Sequence, residues 1–160
     1  MAEKPSEKQM LTFKLNSPRD LLEKLRNDVV LLEDEVTSYR FFNLAVTGYH
    51  IIDWIKNNET VSDDTRKAVE EMYKDEYLSI CRDLANAIKH WKLDYKSKNI
   101  SSVKSTQGGY GTGRYGKGLY GNGEEQITMK CRDGREYNIL EFARAILRIW
   151  DDFFEEHKLR

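Results

Sequence analysis

Apolar residues recur at helical spacing through most of the chain, and the polar positions between them mark where each helix begins and ends. Leu21, Leu22, Leu25, Val29, Leu32 and Val36 keep the rhythm of one buried helical face. Ser17, Pro18 and Asp20 precede them as N-cap, first-turn proline and acidic third residue of a capping box. A second helix, from about Tyr39 to Lys56, is apolar on most sides. Phe41, Phe42, Leu44, Ala45, Val46, Ile51, Ile52, Trp54 and Ile55 predict a central place for it in the core. Asn57 to Asp64 reads as a polar linker whose Ser62 or Asp63 caps a third helix, near Thr65 to Leu93. Asn138, with Glu141 three residues on, caps a last helix. That helix keeps one apolar face through Leu140, Ala143, Ile146, Leu147, Trp150, Phe153 and Phe154.

Residues 98–137 break the helical rhythm. Eight of the ten glycines fall between Lys98 and Glu125, a density that makes a helix untenable there. Ile127 to Cys131 alternates as a strand, Asp133-Gly134 is a tight-turn signal, and Ile100 to Lys104 is the partner expected across the glycine loop. The expected protein is therefore mainly α. Residues 1–16 form a tail, with a short ordered stretch at Leu11–Leu15. Residues 17–160 form one domain of about four helices, with a small antiparallel ribbon inserted before the last.

Composition narrows the function classes. The 160 residues are 33% charged, 39% hydrophobic and 11% aromatic, enough apolar surface for a real core. The net charge of −1 gives no global field toward nucleic acid or an anionic membrane, so such binding would be local. No apolar run approaches the roughly 20 residues that span a bilayer, and the first ten residues carry no apolar signal core. A cytoplasmic protein is expected. The two cysteines, Cys81 and Cys131, lack zinc spacing, so neither a metal nor another cofactor is expected. Cys81 reads as a buried thiol in an apolar helix.

The chemistry concentrates on helix three. At about 100° per residue, Tyr77, Ile80, Leu84, Ile88 and Trp91 gather on one buried face. Asp83, Asn86 and His90 then form a contiguous strip at the core boundary, with Arg82 and Lys89 beside it. Such a strip is half desolvated, where hydrogen bonds and proton affinities are tuned. A site there would use His90 as general acid or base, Arg82 or Lys89 to hold an anionic group, and Asn86 to orient it. Asp83 is expected to fix the tautomer of His90. The bland alternative is helix-to-helix hydrogen bonding and solvated ion pairs. On helix two, His50 and Asp53 stand one turn apart, placed to bond each other or to face helix three, where His50 and His90 would share a cleft.

The run CRDLANAIKHW, with AVTGYHIIDWI before it, resembles a family of small bacterial proteins similar to the HEPN superfamily (higher eukaryotes and prokaryotes nucleotide-binding). The resemblance covers about residues 37–95, with a looser match at Phe142 to Phe154. It implies a HEPN-like helical bundle and a metal-independent ribonuclease of the toxin or antiviral-defence kind, paired across a dimer interface. In that family an Arg and a His four to six residues apart on one helix do the work. Here Arg82 and His90 have seven residues between them, and Asp83 fits the polar position after the motif arginine. Position 92 is Lys, so the modified-tyrosine variant of toxin–antitoxin pairs is not matched.

Within the glycine stretch, GGYGT-GRYGK-GLYGN repeats Gly-x-Tyr-Gly-x with Tyr110, Tyr115 and Tyr120 in register. Stacking tyrosines with Arg114 and Lys117 between them would suit single-stranded RNA, and glycine-turn amides would suit a phosphate. The plain reading is a mobile hairpin loop. Two function classes follow: an RNA-binding or RNA-cleaving protein, or a non-catalytic helical module that holds a cognate protein partner.

Overall fold

A computed structural model describes residues 14–90, 97, 99–109, 114–116 and 123–159, with only the backbone of Ile88 and His90. Five α-helices and a three-stranded antiparallel sheet make up the fold. Helix α1 (Pro18–Asp34) starts on the expected capping box: the Ser17 hydroxyl accepts from the Asp20 amide, and the Asp20 carboxylate accepts from the Ser17 amide at 2.9 Å. Helix α2 (Ser38–Asn57) starts on Thr37, whose hydroxyl accepts from the Arg40 amide. Its Leu44, Ala45, Ile51, Ile52 and Ile55 are wholly buried, which makes it the central helix.

The expected third helix is two. Helix α3 (Asp63–Glu71), capped by Ser62, passes into a 3₁₀ turn (Met72–Lys74), and α4 (Glu76–His90) begins afresh. Asp75 makes the break. Its backbone turns extended, and its carboxylate accepts from the Leu78 amide at 3.0 Å, so it acts as the N-cap of a new helix. The expected continuation through Trp91 to Leu93 lies outside the described residues.

Strands β1 (Ile100–Gln107), β2 (Glu125–Cys131) and β3 (Glu136–Tyr137) lie in that order. β1 and β2 pair across the glycine stretch in the register Ile100↔Cys131 to Gln107↔Glu125, with a bulge between Ile100 and Ser102. Asp133-Gly134 turns β2 into the short β3, and Gly134 has φ +89°, which glycine supplies without strain. Met129 and the half-buried Ile127 face the helices. Helix α5 (Ile139–Glu156) follows, capped by the Asn138 side chain, which accepts from the Leu140 and Glu141 amides.

Helix α5 closes the core with Phe142, Ile146, Trp150, Phe153 and Phe154. Four helices meet at Gly48. A Cβ there would stand 2.9 Å from Ile146 Cγ2, 3.9 Å from Cys81 Sγ and 4.0 Å from Leu25 Cδ1. The absence of that atom lets α5 pack against α2, and the buried Trp150 indole donates to the Gly48 carbonyl at 2.9 Å. Between α1 and α2, buried Asp28 and Thr47 bond each other and Lys24, all at 2.7 Å, so neither polar group is left unsatisfied. Among the described residues no helix is long and apolar enough to cross a membrane.

Candidate functional site

The edge of α4 is more deeply set than a helical wheel predicts. Leu78, Ser79, Ile80 and Cys81 are all buried, so α4 is covered on several sides at this level. Asp83 is only 3% exposed: it faces the interior, not the boundary. A carboxylate taken out of water needs a counter-charge and hydrogen bonds. Arg82 folds back to supply them, donating from Nε at 3.2 Å and Nη2 at 3.0 Å to Asp83 Oδ1. About a third of the Arg82 side chain stays open to solvent. Asn86 is half-buried one turn on, and Lys89 is exposed. Arg82, Asp83 and Asn86 each make further interactions besides these. His90 ends α4, and its side chain lies outside the described residues. The carboxylate expected to orient His90 is thus engaged by Arg82.

His50 and Asp53 go separate ways. His50 is exposed, its ring edge-on to Tyr49 at 5.5 Å. Asp53 instead accepts from the Tyr73 hydroxyl at 3.0 Å. Burial first, then that carboxylate, pushes the Tyr73 phenol above its ordinary range. Lys56 lies over the Tyr73 ring and pairs with Glu70. Tyr73, just before α4, meets Asp53, while Cys81 further on meets Gly48, so α2 and α4 run in opposite directions. At 1.5 Å per residue, the backbones at His90 and His50 stand about 16 Å apart along the helix axes.

The glycine ribbon also departs from expectation. Tyr110, Lys117 and Tyr120 lie outside the described residues. Tyr115 is fully exposed. Arg114 turns inward, with Nη2 and Nε on the Glu124 carboxylate at 2.6 and 3.1 Å and Nη1 on the Glu33 carbonyl. The Arg114 side chain keeps 39% of its surface open to solvent beside that pair. Glu124, 4% exposed, also accepts from the Val36 amide at 2.7 Å. The bond from Arg114 holds its carboxyl below the usual carboxylate range. Next to it, Glu125 accepts from the Ser38 amide at 2.6 Å and from the Ser38 and Ser105 hydroxyls. Burial alone would raise the Glu125 carboxyl, but the hydroxyl and amide donors outweigh it and the net shift is downward. Two adjacent carboxylates therefore clamp the ribbon onto the α1–α2 turn. Sequence reasoning missed them; the available signal was a Glu-Glu pair where glycine gives way to a strand.

A cleft of about 550 Å³ between α1 and α5 lies elsewhere and is lined by Arg19, Arg26, Asp151 and Lys158 among others. Its cations are largely neutralised: Arg26 grips Asp151 with two nitrogens, and Glu23 lies near both arginines. Among the described residues no three His, Cys, Asp or Glu side chains gather as a metal site. Cys81 and Cys131 are both unpaired thiols and buried. Comparison of the chain with family models, curated proteins and solved structures returns no match.

Proposed function

We propose that the chain is a HEPN-like protein that binds RNA or cleaves it without a metal, as a homodimer in bacterial toxin or antiviral-defence systems. The observation that supports the reading most is the Arg82–Asp83 pair. A buried carboxylate fixes the guanidinium of a side chain that stays about a third open to solvent, an arrangement that suits recognition of a phosphate. Asn86 and Lys89 extend the same edge with a hydrogen-bonding group and a second cation. His90 would take the proton of a ribose 2′-hydroxyl as its oxygen attacks the neighbouring phosphorus. The leaving 5′-oxygen then collects a proton and a cyclic phosphate remains. Arg82 steadies the charge that builds on the phosphoryl oxygens.

The test incubates labelled single-stranded RNA with the protein in EDTA, beside His90→Ala, Arg82→Ala and Asp83→Asn. Removal of a general acid–base costs about 10²–10⁴ in rate. Wild-type cleavage, loss of that order in H90A and R82A, and a smaller loss in D83N are expected. A wild type that neither cleaves nor retards RNA sinks the reading. A second reading, a non-catalytic module holding a protein partner, draws on the exposed apolar residues Val30, Leu31, Tyr39 and Tyr115 and on the inward turn of Arg114.

A further inference from the structure

The long strand β1 has a partner on one side only. In the order β1-β2-β3 its second edge faces outward, and among the described residues no backbone group from Ser101 to Thr106 bonds across that edge. An edge of this kind is a template for another strand, and proteins usually blunt it with proline, charge, a bulge or a cover. β1 carries little of that protection. It holds no proline and one charged residue, Lys104; its bulge sits at the far end, beside Ile100. From Val103 to Gln107 every residue is exposed.

One apolar side chain of the strand stands half-open. Val103 shares the inner face of the sheet with its partner Met129, yet it is 38% exposed where Met129 is buried. An exposed apolar group on a strand with an unpaired edge suits strand addition.

The sequence of the strand selects the occupant. We propose that β1 pairs antiparallel with β1 of a second copy of this chain, joining two three-stranded sheets into one of six strands. Centred on Val103, the register sets Val103 against its own copy, Lys104 against Ser102, and Ser105 against Ser101. No lysine opposes a lysine, and the apolar residue at the centre covers itself. A register one step over, centred on Lys104, would oppose the two ammonium groups directly. The pairing is isologous and consumes the long free edge of each copy, so it closes as a dimer and does not propagate into a fibre.

The full chain decides the matter by light scattering after gel filtration. Wild type is expected at twice its 18.8 kDa at micromolar concentration. Val103→Lys and Val103→Glu, each placing like charges opposite each other at a half-exposed position, are expected at 18.8 kDa with unchanged circular dichroism. A one-to-one mixture of the two returns to the dimer mass, because opposite charges then face across the register. Val103→Cys supplies a second readout: mild oxidation is expected to give a covalent dimer, since each cysteine meets its own copy. A monomeric wild type, a dimer that survives both charged variants, or a V103C protein that does not cross-link overturns the proposal. Pairing of β1 with a strand of some other protein would appear as a monomeric wild type.

Discussion

Replacing Glu124 with Gln tests whether the ribbon is held on the helices by the carboxylate clamp. The substitution keeps the shape and one carbonyl acceptor but removes the charge. Two losses follow. The Arg114 pair, with Glu124 at 5% and Arg114 at 39% side-chain exposure, is partly screened and contributes about 1 kcal/mol. The Val36 amide exchanges a charged acceptor at 2.7 Å for a neutral one, a bond roughly half as strong, for about another 1 kcal/mol. The sum, about 2 kcal/mol, corresponds to roughly 30-fold in an equilibrium constant and, in a chain of this size, a fall of about 4–8 °C in Tm. Denaturant titration reads the total, and hydrogen exchange reads the site, with the Val36 amide expected to exchange about 30-fold faster. The pH dependence carries the sign. The Glu124 carboxyl lies below its ordinary 4.5 in the folded chain, so its contribution is complete above that pH and is lost as pH falls through the lower folded value. E124Q should lack that part of the acid transition. A Val36 amide whose exchange stays within threefold of wild type, with a stability change under about 0.5 kcal/mol, refutes the reasoning.

Two further outcomes follow from the core. Gly48→Ala should destabilise by about 1–2 kcal/mol despite a helix-propensity gain near 1 kcal/mol, because the new methyl meets Ile146 Cγ2 at 2.9 Å. Adding Ile146→Leu, which moves the branch away from Cβ, should recover much of the loss, and strict additivity in that double-mutant cycle would exclude the clash. The Cys81 thiol, wholly buried and pushed up by burial and then by the charge of Asp75, should react with a thiol reagent at pH 8 only as fast as the protein opens; labelling at the rate of the denatured chain would contradict its placement.

Much of the frame was legible in the sequence because local chemistry and tertiary packing agree there. Ser17-Pro18 and Asn138 cap the helices they announce, and Asp133-Gly134 turns the hairpin it promises. The break at Asp75 was hidden. Val69, Met72, Tyr73, Tyr77 and Ile80 keep an apolar rhythm straight across it, and only the capping carboxylate marks the new start. Asp83 was misplaced because a wheel assumes one buried face, whereas α4 is covered on several sides and an adjacent arginine makes an inward aspartate tolerable. Glu124 and Glu125 were silent because their partners on the α1–α2 turn, Val36 and Ser38, lie 88 and 87 residues away, and no local pattern encodes a contact at that range.

The junction at Gly48 also bears on how the chain folds. The Trp150 indole reaches the Gly48 carbonyl across 102 residues, and Arg26 reaches Asp151 across 125. Closing a loop of about a hundred residues costs roughly 4 kcal/mol of chain entropy before any such contact is made. Helices α1 and α2, neighbours in sequence, escape that cost and can associate first. α5 then docks across the longest loops in the fold, bringing the largest aromatic side chains of the core with it. Truncations in α1 should therefore slow folding where those in α5 chiefly hasten unfolding, and until α5 arrives the groove that receives Trp150 is a hydrophobic surface open to any other chain.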